Sequence, residues 1–141
     1  MNLLDLQDRV ILITGGCGAI GRVIVRELTA HNARVAVNDI VTEKEAAVIL
    51  AEADPSGERT TYFRADANQP DELIALLDRT EAAWGLPDIV CCHAGMVDAH
   101  PVTEYPLEAF DQLIQTNLRA AFATAQETCR RWRAAEKPGH L

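Results

Sequence analysis

Short apolar runs and amphipathic stretches alternate along this chain of 141 residues. An apolar run bounded by turn residues is typical of a buried strand, and apolar residues at helical spacing indicate a helix that packs on it. The runs predict strands at residues 10–13, 34–38, 60–65 and 89–92. The amphipathic stretches predict helices that begin near Ile20, Thr42, Asn68 and Pro106 and end near His31, Ala53, Trp84 and Arg133.

Polar residues mark the ends of these predicted helices. Asn32 follows the first helix, and asparagine is common in the left-handed conformation that ends helices. Thr42 and Glu45 have the spacing of a capping box at the start of the second helix. Asn68 is the expected cap of the third helix, with Pro70 in its first turn.

The fourth predicted helix is long, and its apolar residues predict the face that packs inward. That face comprises Phe110, Leu113, Ile114, Asn117, Leu118, Ala121 and Ala125. Residues 134–141 include Pro138 and Gly139, so we expect a linker-like tail after a domain that spans residues 1–133.

Strands that alternate with helices through short connections predict a three-layer α/β fold with a parallel sheet and right-handed crossovers. In a doubly wound sheet of this kind the strand order is 3-2-1-4. Ligands then bind outside the carboxyl ends of the strands, where the strand order reverses. The residues that follow each predicted strand are therefore the candidate functional residues.

A glycine-rich turn, Thr14–Gly21, joins the first strand to the first helix. We expect Gly15 to permit a tight turn, Gly18 to let a diphosphate approach the main chain, and Gly21 to let the helix lie close to the strand. The N-terminus of the helix then offers N–H groups and a positive dipole end to an anion. The alternative is an ordinary glycine-rich connection, but the strand before it and the helix after it favour nucleotide binding.

Two carboxylates follow the next two strands, Asp39 after the second and Asp66 after the third. Asp39 is expected to accept hydrogen bonds from the 2′- and 3′-hydroxyl groups of a ribose and to repel a 2′-phosphate. Its neighbours Cys17, Asn38 and Ile40 are neutral, which favours NAD over NADP. The alternative is that Asp39 serves only as a turn residue or helix cap.

Composition narrows the class of protein. The net charge of −8, with only two lysines, argues against binding to a nucleic-acid backbone. No apolar run reaches the length of a membrane span, and Met1–Asp5 lacks the basic and apolar regions of a signal peptide. We therefore expect a cytoplasmic protein that does not bind membranes.

The cysteines and histidines indicate neither a disulfide nor a metal site. Cys17, Cys91, Cys92 and Cys129 lack CxxC spacing, and the four histidines lack metal-ligand spacing. Small buried thiols in a reducing compartment are the expected state. The adjacent Cys91 and Cys92 are expected to face opposite sides of their strand.

Three motifs in the same order resemble those of the short-chain dehydrogenases/reductases. Thr14–Gly21 resembles the TGxxxGxG cofactor turn, and Ala94 with Gly95 is similar to the second half of the NNAG motif. Asn117 lies where the family has a helix asparagine. The resemblance extends from Leu6 to about Leu141 and implies the Rossmann-like, N-terminal cofactor-binding part of such an enzyme.

The resemblance also implies a role for each candidate residue. It assigns the diphosphate to Gly15, Gly18, Ile20 and Gly21, the ribose to Asp39, the adenine edge to Asp66 and Ala67, and the floor of the ribose side to Ala94 and Gly95. Asn117 would bend its helix and hold a water molecule of the proton relay. The alternative for Asn117 is a buried polar residue that bonds to its own helix.

Two departures from the family pattern stand out. Cys92 and His93 replace both asparagines of the NNAG motif, which leaves the local geometry of the strands open. His93 could contact the cofactor, although a tolerated substitution near the cavity mouth is the favoured interpretation.

The catalytic serine and the YxxxK pair of the family have no counterpart in this chain. Ser56 is the only serine, and the residues four positions after Tyr62 and Tyr105 are not lysines. The chain stops about where the family's fifth strand would begin. We therefore expect no turnover from this chain alone, and self-association or a homo-oligomer through the exposed edge of the fourth strand.

Three functions remain open at this point. The first is an NAD-dependent oxidoreductase that transfers hydride between nicotinamide and an alcohol or carbonyl, present here as a partial chain. The second is a non-catalytic dinucleotide-binding module. The third is a subunit that completes the sheet of another chain.

Overall fold

The computed structural model describes residues 5–141. The interpretation of Met1–Leu4 as lacking a signal sequence concerns residues outside this range. Among the described residues, no helix is both long enough and apolar enough to cross a membrane.

Four parallel strands form one sheet in the order β3-β2-β1-β4, which confirms the predicted order. The strands are β1 (Val10–Thr14), β2 (Arg34–Asp39), β3 (Thr60–Arg64) and β4 (Ile89–Cys91). Because β1 is central, Leu12 pairs with Ala36 on one side and with Val90 on the other. The carboxyl ends of all four strands lie at the same edge of the sheet, as a candidate site there requires.

Five α-helices connect and cover the strands among the described residues. They are α1 (Gly21–Ala30), α2 (Glu43–Ala53), α3 (Pro70–Trp84), α4 (Leu107–Ile114) and α5 (Ala120–Ala134). A π-helical segment, Gln115–Arg119, joins α4 to α5, so the predicted long helix is continuous but contains an irregular turn.

The predicted helix ends are correct at two places and wrong at a third. Asn32 has a left-handed φ of 63°, and Thr42 with Glu45 forms the complete capping box. Asn68 does not cap α3; Gln69 occupies the cap position and provides no side-chain bond. The side chain of Asn68 instead extends toward the π segment, where Nδ2 lies 3.4 Å from the Thr116 hydroxyl.

The core lies on both faces of the sheet. One side packs Ile11, Ile13 and Val25 between the sheet and helices α1 and α2. The other side packs Leu12, Leu76 and Trp132 beneath α3 and α5. Cys91 contacts the first cluster and Cys92 the second, which confirms that the two thiols face opposite sides of β4.

The predicted inward face of the last long helix was wrong at four of its seven residues, since only Leu113, Ala121 and Ala125 are half-buried. Phe110, Ile114 and Leu118 are 50%, 43% and 63% exposed, and Asn117 is also exposed. The buried positions lie further along, at Ala120, Thr124, Thr128 and Trp132. The π segment adds a residue to one turn of the helix. The buried hydroxyl groups of Thr124 and Thr128 donate hydrogen bonds to backbone carbonyls of their own helix.

The tail does not extend away as a linker. Its residue His140 pairs with Ile89 in parallel, and its backbone N–H and carbonyl bond to the strand at Asp88 and Val90. The ring of Trp132 lies directly against Gly139, where a Cβ would be 2.2 Å from a ring atom. This pairing covers part of the edge of β4 that we had expected to be free.

Candidate functional site

The glycine turn between β1 and α1 is packed too tightly for side chains at three positions, and a Cβ on Gly16 would lie 2.5 Å from Cγ1 of Val37. Gly15 has a φ of 69°, and a Cβ there would lie 2.7 Å from the Cα of Ala94. A Cβ on Gly21 would lie 2.2 Å from the carbonyl oxygen of Gly15. Gly21 therefore allows α1 to lie against the turn itself, not against the strand as predicted.

Gly18 differs from these three glycines because the fold leaves room at this position. A Cβ on Gly18 would lie 3.4 Å from the carbonyl oxygen of Gly15, which is an ordinary contact distance. Its exposed position beside the cavity is consistent with glycine serving a ligand that approaches the main chain.

The N-terminus of α1 has unpaired backbone donors. The N–H groups of Ala19, Ile20 and Gly21 donate no hydrogen bond to any residue in the range 5–141. Ala19 and Ile20 are exposed and line the cavity, whereas Gly21 is buried, so the first two donors are the ones accessible at the turn. A helix N-terminus with free N–H groups and no acidic residue in its first turn suits an anionic group.

Asp39 is the last residue of β2, and its carboxylate anchors the glycine turn. Oδ2 accepts the backbone N–H of Cys17 at 3.0 Å, and Oδ1 accepts the N–H of Ile40 at 2.8 Å. Asp39 thus has the turn-stabilising role that the sequence left open as an alternative. Each carboxylate oxygen has a further lone pair, so the group is also able to accept hydroxyl groups from the cavity.

A basic residue does lie beside Asp39, contrary to the interpretation based on neighbours in the chain. Arg64 is the cross-strand partner of Asp39 in the pairing of β2 with β3. Its Nε donates to the carbonyl of Ile40 at 3.0 Å. The sequence could not reveal this pair because it depends on the register of two strands that are separated by a helix.

Asn38 holds the end of β3 in place, a role that the sequence analysis missed. Its amide group is buried and donates to the carbonyls of Phe63 and Ala65, at 3.0 and 2.9 Å. Asp66, which comes after β3, accepts the N–H of Asn68 through Oδ1 at 2.9 Å and so shapes the loop toward α3. The signal in the sequence for the role of Asn38 was a polar residue near the end of an otherwise apolar strand.

Thr14 joins the ends of β1 and β4 and was also missed as a functional residue. Its buried hydroxyl oxygen accepts the backbone N–H groups of His93 and Ala94, each at 3.1 Å. The backbone after β4 is therefore fixed without the two asparagine side chains that Cys92 and His93 replace. This resolves the local geometry that the departure from NNAG had left open.

Asn117 lies in the π segment and binds the loop after β4. Its Oδ1 accepts the N–H of Met96 and its Nδ2 donates to the carbonyl of Met96, both at 2.8 Å. The alternative that Asn117 bonds to its own helix is therefore wrong. Gly95 lies beside this pair, since a Cβ there would be 3.3 Å from Oδ1 of Asn117.

These elements enclose a cavity of about 670 Å³ at the carboxyl ends of the strands. Its wall includes the predicted residues Gly15, Gly18, Ile20, Asp39, Asp66, Ala67, Ala94 and Gly95, together with Asn38 and His93. Gly21 and Asn117 are not part of the wall and lie behind it. The structure thus brings together most of the predicted cofactor-binding residues around one space.

Two titratable groups beneath the cavity are unsuited to proton transfer near neutral pH. Burial, with the Asp39 carboxylate nearby, raises the pKa of the Cys17 thiol to about 11. Burial is the main cause of the raised pKa of Tyr62, and the nearby Cys17 and Asp39 raise it further. The Tyr62 hydroxyl donates to the carbonyls of Asp39 and Val41 at 2.9 and 2.6 Å, so it stabilises the end of β2.

Comparison with known proteins gives one family. The sequence profile described as short chain dehydrogenase matches residues 9–141. A 2,5-dichloro-2,5-cyclohexadiene-1,4-diol dehydrogenase of Sphingobium indicum is 39% identical over 119 residues, which are 84% of this chain and 46% of that protein. The trihydroxynaphthalene reductase PfmaI of Pestalotiopsis fici is 30% identical over 123 residues, 87% of this chain and 44% of that protein. The chain therefore spans about half the length of the curated relatives it matches.

Solved structures agree with the fold. A blue fluorescent protein from a metagenomic library, in complex with NADPH, has a TM-score of 0.80 and 26% identity, covering 90% of this chain and 52% of that one. NAD⁺-bound xylitol dehydrogenase has a TM-score of 0.88 at 21% identity, covering 97% and 53%, and this likeness shows the fold alone.

Proposed function

The chain belongs to the short-chain dehydrogenase family, and we propose that it is the dinucleotide-binding part of an NAD(P)-dependent oxidoreductase. The enzyme as a whole would transfer hydride between nicotinamide and an alcohol or carbonyl. The observation that carries the proposal is that Ala19 and Ile20, whose N–H groups are free, and Asp39 with its carboxylate line the same cavity.

The cofactor fits the residues that line the cavity. The N–H groups of Ala19 and Ile20 would hold the diphosphate, and the absence of a side chain on Gly18 lets it approach, while the buried Gly21 would support the turn from behind the cavity wall. Asp39 would bind the adenosine ribose. The cofactor supplies the hydride chemistry, while this part of the chain binds and orients it.

The remaining predicted contacts follow from position. Asp66 and Ala67 would meet the adenine edge, and Ala94 with Gly95 would form the floor on the ribose side. Asn117, which fixes Met96 beside that floor, would hold a water molecule of the proton relay.

We propose NAD as the preferred cofactor. A carboxylate at the ribose accepts two hydroxyl groups but repels a phosphate at the 2′-position. Arg64 lies beside Asp39 on the neighbouring strand but is not among the residues that line the cavity.

Turnover requires groups beyond those in this chain. Ser56 lies in the turn before β3 and bonds to Asp54, and the hydroxyl of Tyr105 donates to the carbonyl of Asp98. Neither is paired with a lysine. We propose that the chain binds dinucleotide but does not oxidise or reduce an alcohol or carbonyl by itself.

Self-association and a cytoplasmic location complete the proposal. The side chains of Phe110, Leu118 and Phe122 form an exposed apolar stripe along α4, the π segment and α5. Such a stripe favours contact with another protein surface, here a second copy. The four free thiols support a reducing compartment.

Calorimetric titration of the purified chain with NAD and NADP tests the cofactor assignment. We expect NAD to bind more tightly, and Asp39→Asn to weaken NAD binding about tenfold by removing a charged acceptor. The matched control is Asp71→Asn, the same change on an exposed residue outside the cavity wall. Absence of NAD binding to the unmodified chain contradicts the proposal.

A second pair of measurements tests the proposed lack of turnover and the proposed self-association. NADH formation with a panel of alcohols should be absent, and any turnover contradicts the proposal that this chain binds dinucleotide without oxidising or reducing a substrate. Light scattering should give an oligomer that Leu118→Lys weakens, whereas Val48→Lys, at a position 66% exposed on α2, leaves it intact.

A further inference from the structure

β3 is an outer strand of the sheet, and one side of its main chain faces away from the other strands. It pairs with β2 and with no further described strand. In that pairing the carbonyl of Arg59 accepts a hydrogen bond at 2.8 Å and the N–H of Ala65 donates one at 3.2 Å. The main-chain groups of successive strand residues point to alternate sides, so Thr60, Tyr62 and Arg64 direct theirs outward. These outward groups form the free edge of β3.

Side chains of the same chain already occupy the two ends of this free edge. Oδ2 of Asp54 accepts the N–H of Thr60 at 2.9 Å, and Nη2 of Arg79 donates to the carbonyl of Arg64 at 2.9 Å. Four main-chain groups remain between them: the carbonyl of Thr60, the N–H and carbonyl of Tyr62, and the N–H of Arg64. None of these four is bonded to another described residue, so an extended segment laid along the free edge can pair with all of them.

These four groups are complementary to those of a second copy of the chain. In an antiparallel pairing centred on Tyr62, the N–H and carbonyl of Tyr62 bond to the same groups of the other copy, and the N–H of Arg64 bonds to the carbonyl of Thr60. The two groups that cannot take part, the N–H of Thr60 and the carbonyl of Arg64, face each other in this register. Because Asp54 and Arg79 already satisfy them, the pairing leaves no main-chain group of the free edge without a partner.

The two ends of the free edge also carry opposite charges. Arg79 lies at the carboxyl end of β3 and forms no salt bridge with any described residue. Asp54 and the exposed Glu58 lie at the amino end, where the charge of Arg59 is paired with Asp8 at 2.6 Å. An antiparallel arrangement places the basic end of each copy beside the acidic end of the other, which favours this orientation over a parallel one.

We propose that the free edge of β3 is a contact between two copies of this chain, in which the strands pair antiparallel about Tyr62 and two four-stranded sheets become one. The contact goes beyond the proposed function and is separate from the apolar stripe along α4, the π segment and α5. It is also separate from the dinucleotide cavity, because none of residues 60–64 lines that cavity. A short edge that is occupied at both ends suits a reversible dimer and does not extend into longer assemblies.

Sedimentation equilibrium of the full chain tests this contact in a Leu118→Lys background, in which the stripe is disrupted. We expect a reversible equilibrium between monomer and dimer. Arg64→Pro removes the outward N–H in both copies without removing a bond to β2, so it should raise the dissociation constant about tenfold or more. The matched control is Arg64→Ala, which removes the same side chain but keeps the N–H and should have a much smaller effect.

Paired cysteines test the register of the two strands. Thr60→Cys and Arg64→Cys in one chain would place thiols opposite each other across the dimer, with Cα atoms about 5.5 Å apart, which a disulfide allows. Oxidised glutathione should then give a covalent dimer. Either change alone leaves the new thiols about 14 Å apart along the paired strands and should give no more cross-linking than the parent Leu118→Lys chain. Thermal melts establish that each variant is folded.

The outcomes separate this inference from the proposed function. A monomer at every concentration in the Leu118→Lys background shows that the stripe is the contact and that the free edge is not. Equal losses for Arg64→Pro and Arg64→Ala, or a dimer that the paired cysteines do not cross-link, also overturn the inference. Calorimetry with NAD on the same variants tests the dinucleotide site independently, and a dimer that forms as described without binding NAD supports the free edge while refuting the proposed function.

Discussion

The side-chain amide of Asn117 forms two hydrogen bonds with the backbone of Met96, one through each of its polar atoms and both 2.8 Å long. The side-chain amide of asparagine has a hydrogen-bond donor and an acceptor side by side, so it can pair with both the N–H and the carbonyl of one residue. Because Asn117 lies in the π segment, the irregular turn of the helix aims the amide at the loop after β4. The π segment and the position of the loop after β4 are therefore coupled through Asn117.

Replacement of Asn117 by alanine should destabilise the chain by about 1–2 kcal/mol, because both bonds to Met96 are lost. Asn117→Asp should recover only part of this, since the carboxylate accepts the Met96 N–H but repels the Met96 carbonyl. Urea denaturation measures both. Arg119→Ala, in the same segment with an exposed side chain, should change the free energy of unfolding by less than about 0.5 kcal/mol. Equal losses for Asn117→Ala and Arg119→Ala contradict this account.

Thr14→Val should destabilise the chain by about 2–3 kcal/mol, because it leaves the N–H groups of His93 and Ala94 without their acceptor. Thr14→Ser keeps the hydroxyl and serves as the control, with a smaller loss. Urea denaturation gives the stability. If valine and serine variants are equally stable, the hydroxyl does not organise the end of β4.

Gly18→Ala and Gly21→Ala should separate ligand binding from folding. A methyl group on Gly18 meets only an ordinary contact, so stability should change by less than about 0.5 kcal/mol while NAD affinity falls. A methyl group on Gly21 would lie 2.2 Å from the Gly15 carbonyl, so this variant should lose about 3 kcal/mol or more. Urea denaturation and calorimetry with NAD check the two variants side by side. Unchanged NAD binding by a folded Gly18→Ala chain contradicts the role of Gly18.

The architecture and the cavity could be predicted because they depend on local patterns. Alternating strands and helices fix the parallel topology, and the strand–glycine turn–helix unit of Thr14–Gly21 predicts a cavity at the first crossover, where the structure has one. Asp39 follows from the same logic, since it ends the neighbouring strand.

Contacts that depend on the register between strands, or on which side of a helix faces the core, could not be predicted. Thr14, Asn38 and Arg64 act on backbone atoms of other strands, which no spacing along the chain reveals. Apolar residues at helical spacing show that a stripe exists but not which way it faces, so Phe110 and Leu118 were assigned to the wrong side.

Asp88 connects the starts of β1 and β4 to the tail, and its ionisation should make this connection sensitive to acid. Its carboxylate accepts the Val10 N–H at 2.8 Å and lies 3.0 Å from the Lys137 ammonium. Burial alone would raise the pKa of Asp88, but the Val10 N–H and the Lys137 ammonium together lower it below the ordinary value.

A carboxylate whose pKa is lower in the folded state contributes stability above the ordinary pKa, and this contribution is lost as the pH falls through the folded value. We therefore expect Asp88→Asn to be less stable than the unmodified chain at about pH 7, and the difference to shrink as the pH falls below the ordinary aspartate pKa of about 3.9 and through the lower pKa of folded Asp88. Urea denaturation at about pH 7 and at a series of lower pH values gives the comparison, and other acidic groups cancel in the difference. Asp71→Asn, at an exposed position without a hydrogen bond to any of residues 5–141, should run parallel to the unmodified chain. A constant difference between Asp88→Asn and the unmodified chain across this range would show that the charge of Asp88 does not hold the tail to β4.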